Sequence, residues 1–426
     1  MDDPGAAASV ERRGKAVFLP FVLAGEKVEG TIVEEKTGFA RARTDRILEA
    51  SPQRIEPGCR YYAGCGGCHY QHTSYEGQLE IKSQILRETL WRTAKLEMEP
   101  VQVHASPPWN YRNRTRLHVR ATPEFALGYN RFASHELMAV EQCPISSPLI
   151  NRAIAAVWQL GRAGRVTPEL SEIEFFANHD ESQLLVELSC GQIWWQSRQQ
   201  PSLPAFVSEL RAAIPETVGI AVFSGPPGKP QTMDEIPPYL EESFGAQEMQ
   251  YEVAGARYTV GAGSFFQTNR FLAGKLVSLV TAGRDGGFAL DLYAGVGLFA
   301  LPLSQTFREV AAVEIAPFSF HDLQRNVPTN VSSYRKGAEL FLVSVIKDAQ
   351  FDYVVVDPPR GGLGEEVARL LGKLGAPELT YVSCDPATLA RDLRELVRAG
   401  YRVRQMHLVD LFPQTFHIET VTELMR

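Results

Sequence analysis

A cysteine at the end of a strand is the first residue in this sequence that could do chemistry. The apolar run from 379 to 382 predicts a short buried strand, and Ser383 and Cys384 follow it. Pro386 turns the backbone away. Because open α/β sheets bind ligands at the carboxyl ends of their strands, Cys384 would stand where a substrate lies. A lone cysteine is more often a small buried core residue, so its neighbours decide between the two interpretations.

Carboxylates are the natural partners of such a thiol. The run from 353 to 356 predicts a second strand, and Asp357 follows it directly, with Arg360 three residues later. We expect Asp357 and Cys384 to lie at neighbouring strand tips. Glu419 lies between apolar residues near the end of the chain. From its flanking residues alone, a surface charge is the simpler interpretation of Glu419.

A glycine-rich turn predicts a nucleotide-binding site. A strand from 288 to 293 runs into Gly295 and Gly297, and a helix is predicted after them. Glycine lets a ligand contact the backbone, and the helix amino terminus faces that ligand. The next predicted strand ends in Glu314, whose carboxylate can bond both hydroxyls of a ribose.

The glycine spacing also fits a nicotinamide dinucleotide, so a redox protein is an alternative. Two nearby carboxylates, Asp291 and Asp357, would repel a pyrophosphate and favour a cationic sulfonium cofactor. Upstream, a glycine-loosened loop from 261 to 269 carries a polar tip that includes Gln267.

Four further cysteines predict a metal centre. Cys59, Cys65 and Cys68 lie within ten residues of the chain. A fourth, Cys143, follows far downstream. Four sulfur ligands suit either zinc or an iron–sulfur cluster, and the spacing alone does not separate the two. Unliganded thiols are the less favoured interpretation, because cysteines so close together are unusual in a reducing compartment.

Three kinds of element must position these residues. Short alternating strands between 14 and 57 predict a small β-barrel of the type that holds RNA on an open face. A helix is predicted from 73 to 97, with Thr73 and Glu76 as a capping box. Residues 150 to 255 predict mixed helices and strands without a clear motif.

An arginine-rich stretch between 109 and 132 suggests contact with RNA. Its arginines are Arg112, Arg114, Arg116, Arg120 and Arg131, and its aromatic residues are Trp109, Tyr111, Phe125, Tyr129 and Phe132. The first three arginines alternate, so they would share one face of a strand. Guanidinium groups suit phosphates and aromatic rings stack on unpaired bases, whereas a solvated edge strand explains the pattern equally well.

Taken together, these motifs resemble the RNA 5-methyluridine (uracil-C5) methyltransferase family, which uses S-adenosylmethionine. The residues that carry the resemblance are Phe266 and Gln267, Asp291 to Tyr293 with Gly295 and Gly297, Val313 and Glu314, Asp357 to Arg360, Ser383 to Pro386, and His417 to Glu419. The strands before residue 57 resemble the TRAM domain that is fused to many members. The four cysteines resemble the 4Fe-4S site of the branch that mostly methylates large-subunit ribosomal RNA.

The resemblance implies a role for each matched residue. It implies that Cys384 is the nucleophile and Glu419 the general base. It implies that the residues lining the cofactor site are Gln267, Tyr293, Glu314 and Asp357. It also implies that the ligands of a 4Fe-4S cluster are Cys59, Cys65, Cys68 and Cys143.

The residue types suit the reaction of that family. C5 of uracil is a poor nucleophile, and a thiolate that adds at C6 turns the ring into an enolate that attacks a sulfonium methyl. A base then removes the hydrogen from C5 so that the thiol can leave. The target base must be flipped out or unpaired. A non-catalytic RNA-binding or ribosome assembly protein on the same fold is the alternative.

The fold class expected is α/β, with a Rossmann-like class I methyltransferase domain at the carboxyl end. The predicted domains are a TRAM-like β-barrel (1–57), an iron–sulfur and α+β RNA-binding domain (58–258) and the methyltransferase domain (259–426). Within the second domain, helix 73–97 is expected to pack on the third. We expect RNA as the partner, 23S rRNA ahead of tRNA, and no stable protein partner.

Composition agrees with this expectation. The chain has 426 residues, a formal charge of -7 and six cysteines. The charge argues against a wholly basic nucleic-acid binder but leaves room for local patches. The chain has no apolar run of membrane-spanning length, and its acidic start is unlike a signal peptide, so we expect a cytoplasmic protein with no membrane association.

Overall fold

The structure, a computed structural model, describes residues 7–12, 15–97, 101–190, 202–224 and 239–426. The strands are β1 (Ala7–Arg12), β2 (Lys15–Pro20), β3 (Lys27–Glu35), β4 (Phe39–Glu49), β5 (Gln102–His104), β6 (Arg114–Arg120), β7 (Ala126–Asn130), β8 (Leu137–Ala139), β9 (Leu170–Ala177), β10 (Leu184–Cys190), β11 (Thr217–Ser224), β12 (Tyr239–Gly245), β13 (Glu248–Val253), β14 (Ala256–Gly261), β15 (Gly286–Leu292), β16 (Phe307–Val313), β17 (Val331–Tyr334), β18 (Tyr353–Val356), β19 (Glu378–Ser383), β20 (Arg402–Val409) and β21 (Thr420–Met425). The helices are α1 (Tyr75–Ala94), α2 (Pro148–Arg162), α3 (Ser202–Ala213), α4 (Ala273–Thr281), α5 (Ala300–Leu303), α6 (Pro317–Asn326), α7 (Ala338–Val345), α8 (Gly364–Leu374) and α9 (Pro386–Arg398).

An eight-stranded sheet forms the carboxyl-terminal part, in the order β17-β16-β15-β18-β19-β21-β20-β5. Strands β15 to β19 are parallel, and β21 runs antiparallel to β19. The four residues of β18 are all buried, as the apolar run there predicts. The strand order reverses direction between β15 and β18. In sheets of this kind the crevice at such a switch point is where ligands bind.

Three smaller sheets precede it. The first has the order β1-β2-β4-β3, and residues such as Val17, Leu19 and Ala42 form its small core. The second has seven strands in the order β12-β11-β10-β9-β6-β7-β8 and packs on α2 and α3. The third is the hairpin β13-β14. The short alternating strands predicted for the amino-terminal part are therefore present in the first sheet.

Helix α1 belongs to the core of the large sheet although it precedes that sheet in the chain. Its Leu86 and Leu90 are fully buried in one cluster with Leu389 and Leu393 of α9. Its first turn differs from the predicted capping box, because Ser74, and not Thr73, accepts the hydrogen bond from the Gly77 N–H. Strand β5 likewise joins the edge of the sheet beside β20. The division into three domains stays a proposal, with these two elements crossing between the second and the third.

Across the described ranges, no helix is both long enough and apolar enough to span a lipid bilayer.

Candidate active site

The register of β19 and β21 brings Cys384 and Glu419 together. Ser383 pairs with Thr420 across the two antiparallel strands. Cys384 follows Ser383 and Glu419 precedes Thr420, so the two residues leave the ladder side by side. In the parallel neighbour, Val356 of β18 pairs with Tyr381 of β19, and Asp357 follows at the same edge.

The electrostatics show that these three side chains face one another. Burial, and then the charges of Glu419 and Asp357, raise the pKa of the Cys384 thiol to about 12. Burial and then Asp357 raise the pKa of Glu419 well above its usual range. Burial alone raises the pKa of Asp357 to about 7. Since charges perturb a pKa only at short range, the thiol and the two carboxyls lie close together at this edge of the sheet.

Arg360 supplies positive charge beside this thiol and these carboxyls. Its charge lowers the pKa of both Cys384 and Glu419, in opposition to the effect of burial. Its guanidinium lies 3.2 Å from Nε2 of His417. Burial, followed by the charge of Arg360, lowers the pKa of His417 to about 3, so this imidazole is neutral at physiological pH. The sequence analysis assigned no role to Arg360, although its place after Asp-Pro-Pro at a strand tip was a signal.

Glu314 organises the glycine turn after β15. One carboxylate oxygen accepts the Gly295 N–H at 2.8 Å, and the other accepts the Ala316 N–H at 2.6 Å. Gly297 has φ +93, and a Cβ there would stand 3.0 Å from a methyl of Leu323. This position therefore requires glycine. The turn is held open toward the carboxyl ends of β15 and β18.

Asp291 lies beneath this turn as a buried carboxyl. It is inaccessible to solvent, and in the described part of the chain neither of its oxygens has a hydrogen-bond partner of regular geometry. Burial, then the charges of Asp357 and Glu314, raise its pKa well above the usual range. Three carboxyls thus surround the switch point, and a cationic ligand would relieve their mutual repulsion. Tyr293, with φ +65, leads the chain from β15 into the turn.

Side chains of the seven-stranded sheet bind the loop that carries Gln267. Gln267 itself is buried. Arg114 donates to the carbonyl of Ser264, whose hydroxyl donates to Asp322 at 2.5 Å. Glu187 accepts the Gly263 N–H at 2.8 Å. The loop between 261 and 269 is therefore fixed at its base.

Comparison with known proteins identifies the family. The family model for tRNA (uracil-5-)-methyltransferases matches residues 74–426. The chain belongs to the tRNA (uracil-5-)-methyltransferase family. The predicted family, and with it the prediction of an RNA-modifying enzyme, is confirmed.

Relatives of similar sequence agree with this membership, and a solved structure shares the fold. The chain is 30% identical to a 23S rRNA (uracil(1939)-C(5))-methyltransferase of Edwardsiella ictaluri over 96% of the chain and 90% of the relative. It is 31% identical to the enzyme of that name from Pseudomonas putida, over 96% of the chain and 88% of the relative. The crystal structure of a Pyrococcus abyssi tRNA (uracil-54, C5)-methyltransferase superposes with a TM-score of 0.73 at 23% identity, covering 97% and 96% of the two chains. This last likeness confirms the predicted α/β methyltransferase fold.

The alternating arginines were expected to contact either RNA phosphates or solvent. Two of them, Arg114 and Arg116, instead pair with carboxylates inside the protein. Arg114 is buried and pairs with Glu174 and, at 2.9 Å, with Glu187. Arg116 pairs with Glu174 at 2.7 Å. Neighbouring strands β9 and β10 present carboxylates at the paired register, so these guanidinium groups serve the fold and the Gln267 loop. They do not form a free surface for phosphates.

Three of the four candidate metal ligands, Cys59, Cys65 and Cys68, have a raised pKa. Burial and then the charges of Cys143 and Cys59 raise the pKa of the Cys65 thiol to about 11. The pKa of Cys59 and that of Cys68 are raised by burial, with Cys143 again contributing. Within the ranges that the structure describes, no group of three or more His, Cys, Asp or Glu side chains could hold a metal ion. A 4Fe-4S cluster on these four cysteines therefore stays a prediction.

Proposed function

We propose that this chain methylates C5 of a uridine in RNA, with S-adenosylmethionine as methyl donor and Cys384 as nucleophile. One observation carries the proposal: the strand register sets Cys384 beside Glu419, with Asp357 at the next strand tip. Attack at C6 requires a thiol and proton removal at C5 requires a base, and a thiol and a carboxyl lie side by side here.

The reaction first requires the thiolate form of Cys384. The raised pKa keeps Cys384 protonated in the free enzyme, surrounded by carboxyl groups. Arg360 favours the ionised sulfur, and the sulfonium charge of the donor would offset Asp357. The site is thus arranged so that the nucleophile gains strength when the donor is bound.

The remaining steps need one base. Once the sulfur of Cys384 has bonded to C6, the electron pair of the C5–C6 bond moves into the enolate, and C5 takes the methyl from the sulfonium. Glu419 then accepts the proton from C5, the C5–C6 double bond re-forms, and the C–S bond breaks to return the thiolate. Arg360 favours the ionised form of Glu419, which is the form that accepts the proton, and burial and Asp357 raise the pKa of that carboxylate so that it binds the proton firmly.

The donor has a matching set of residues around the switch point. S-adenosylmethionine supplies a methyl group on a positively charged sulfur. A cationic donor beside Asp291 and Asp357 would favour the ionised forms of these carboxyls, whose pKa values burial raises in the absence of the donor. Glu314, Tyr293 and Gln267 belong to the turn and the loop on either side. The full burial of the Asp291 carboxyl is the observation that best fits a cationic donor.

A 4Fe-4S cluster on the four cysteines is also part of the proposal. The charge of Cys143 contributes to the raised pKa of Cys59, Cys65 and Cys68, so the four residues lie in one region of the fold, which fits a shared set of ligands. The reaction has no step at this group, and its role would be to hold the segment from 59 to 68 on the fold.

We propose 23S rRNA as the substrate ahead of tRNA, because the relatives at 30% and 31% identity carry the name of a 23S rRNA enzyme. The family model and the archaeal structure named for tRNA keep tRNA as the second candidate. The cytoplasm is the proposed place of action.

The test is to map 5-methyluridine in total RNA from cells that lack the gene and carry either the wild-type chain or Cys384→Ala. A modified position that returns only with the wild-type chain is the expected result. Its location in 23S rRNA or in tRNA decides between the two substrates. Equal modification in both strains would refute the role of Cys384.

A further inference from the structure

The segment from 410 to 419, which ends at Glu419, is held by residues that lie hundreds of positions earlier in the chain. Four consecutive carbonyl groups each accept a hydrogen bond from outside the segment. The pairs are Leu411 with Asn269 at 3.0 Å, Phe412 with Lys82 at 3.0 Å, Pro413 with Tyr111 at 3.0 Å, and Gln414 with the N–H groups of His69 and Tyr70 at 2.8 and 3.0 Å. Asn269, Lys82 and Tyr111 are fully buried. Consecutive acceptors of this kind leave the segment little freedom.

Gln414 is the most constrained residue of the segment. Its side-chain carbonyl accepts from the amide of Gln78 at 2.9 Å, and its own N–H donates to the side-chain carbonyl of Gln78 at 2.9 Å. Both glutamines are buried. The amide of Gln78 also donates to the carbonyl of Thr73 at 3.3 Å. Two side chains on distant parts of the chain are thus joined by a reciprocal pair of bonds.

The backbone of Gln414 is strained. Its φ of +69 lies in the left-handed region, which favours glycine. A glutamine keeps that conformation only if its surroundings determine it, and such strain is concentrated at functional sites. The side chain of Gln414 reaches Gln78, which a glycine would not do.

A second contact from the same helix holds the start of the segment. Lys82 donates to Asp410 at 2.6 Å, and both side chains are fully buried. A buried ion pair gives little net stability, but it fixes register when it is kept. Helix α1 therefore holds the segment at three points, Asp410, Phe412 and Gln414.

The other end of the segment lies against the reacting groups. The ring of Phe416 packs at 4.4 Å from that of His69 and at 4.3 Å from that of His417. His417 lies beside Arg360, whose charge acts on Cys384 and Glu419. A shift at Gln414 would therefore be passed to the residues that flank the carboxyl of Glu419.

We propose that Gln78 and Gln414 form a positioning pair that sets the carboxyl of Glu419 for proton removal from C5. This inference rests on the proposed function, because it presupposes that Glu419 is the base. The pair does not touch the uracil and acts through the backbone between 414 and 419. It is expected to govern the step after methyl transfer, and to leave the attack by Cys384 unchanged.

The test separates these two steps with variants at both ends of the pair. Gln78→Ala removes the reciprocal bonds, and Gln414→Gly removes the side chain while suiting the φ of +69. Gln84→Ala is the matched control, since Gln84 lies on the same helix and bonds only to Glu88 on an exposed face. Each purified full-length protein is mixed with RNA and S-adenosylmethionine. The two readouts are 5-methyluridine formed per unit time and the RNA–protein adduct that survives denaturing electrophoresis.

The expected result for Gln78→Ala and Gln414→Gly is formation of the adduct at the wild-type rate with turnover about 100-fold lower, so that adduct accumulates. Gln84→Ala should match the wild type in both readouts. A parallel fall in adduct formation and turnover, or wild-type turnover in both variants, would overturn the positioning role. If the wild type forms no 5-methyluridine, or Cys384→Ala still forms adduct, the proposed function itself fails.

Discussion

Two groups of thiols in this molecule share a raised pKa but differ in what surrounds them. Around Cys384 the neighbours that add to the effect of burial are carboxyls, Glu419 and Asp357. Around Cys65 they are other thiols, Cys143 and Cys59. Carboxyls exchange protons and attract a cationic donor, whereas thiolates that repel one another would be stabilised by the metal proposed above. The environment of each thiol thus indicates its use, although the two pKa shifts point in the same direction.

Replacement of the thiol among carboxyls should have the largest effect. Cys384→Ala is expected to abolish methyl transfer, because C6 then has no nucleophile, while RNA binding persists. Incorporation of labelled methyl groups into RNA and a filter-binding assay measure the two properties. Cys190→Ala, in the core of the seven-stranded sheet, is the control and should retain activity. Residual turnover by Cys384→Ala close to that of this control would contradict the nucleophile.

The carboxyl beside that thiol comes next. Glu419→Gln should lower turnover by about 10²–10⁴-fold, since the amide cannot accept the proton from C5. The methylated adduct with Cys384 should accumulate, and denaturing electrophoresis with labelled RNA detects it. A variant that turns over slowly without any adduct would place Glu419 before the methyl transfer.

Replacement of one of the four candidate cluster ligands should change the iron content of the protein. Cys65→Ser is expected to lose bound iron and the visible absorbance of a cluster, because one of four ligands is gone. Iron analysis of protein purified without oxygen measures this loss. Cys384→Ala serves as the matched control and should keep its iron. A colourless wild-type protein without iron would contradict the proposed cluster. It would also contradict the different roles assigned here to Cys65 and Cys384.

The pH dependence of donor binding should show a moderate effect. Burial raises the pKa of Asp357 to about 7, so this carboxyl is neutral below pH 7 and anionic above it. Affinity for cationic S-adenosylmethionine should therefore rise about tenfold between pH 6 and pH 8. S-adenosylhomocysteine, whose sulfur is uncharged, should change little, and Asp357→Asn should flatten the curve. Calorimetry at both pH values provides the measurement, and equal slopes for the two ligands would exclude Asp357 as the charge partner.

The smallest expected effect concerns stability. The pKa of Asp291 is raised above the ordinary value of a carboxyl, so ionisation of the unfolded chain lowers the stability of the fold as pH rises above that value. Asp291→Asn should remove this loss and raise the melting temperature of the ligand-free protein at pH 8 by a few degrees. Its donor affinity should fall. A lower melting temperature at pH 8 would show that the carboxyl is stabilised by the fold.

Local sequence patterns were sufficient to predict which reactive residues lie at the strand tips. Asp357 and Cys384 could be placed from two apolar runs, because parallel strands end at one edge. The partners of Arg114 could not be predicted, since Glu174 and Glu187 reach it only through the pairing of separate strands. The same limit applies to Gln78 and Gln414, which are 336 positions apart. The spacing of residues predicts the structure of a single helix or strand. It does not predict contacts between distant elements, because those depend on how the elements align in the fold.

Strand β5 and helix α1 carry a consequence for how the protein is made. Both leave the ribosome well before β20 and α9, the elements that cover them. Until then Leu86 and Leu90 stay uncovered on the nascent chain. A fragment that begins at 259 would lack both elements, expose the edge of β20 and tend to aggregate. Truncation studies should therefore start upstream of residue 74, so that the last sheet is expressed together with its earliest pieces.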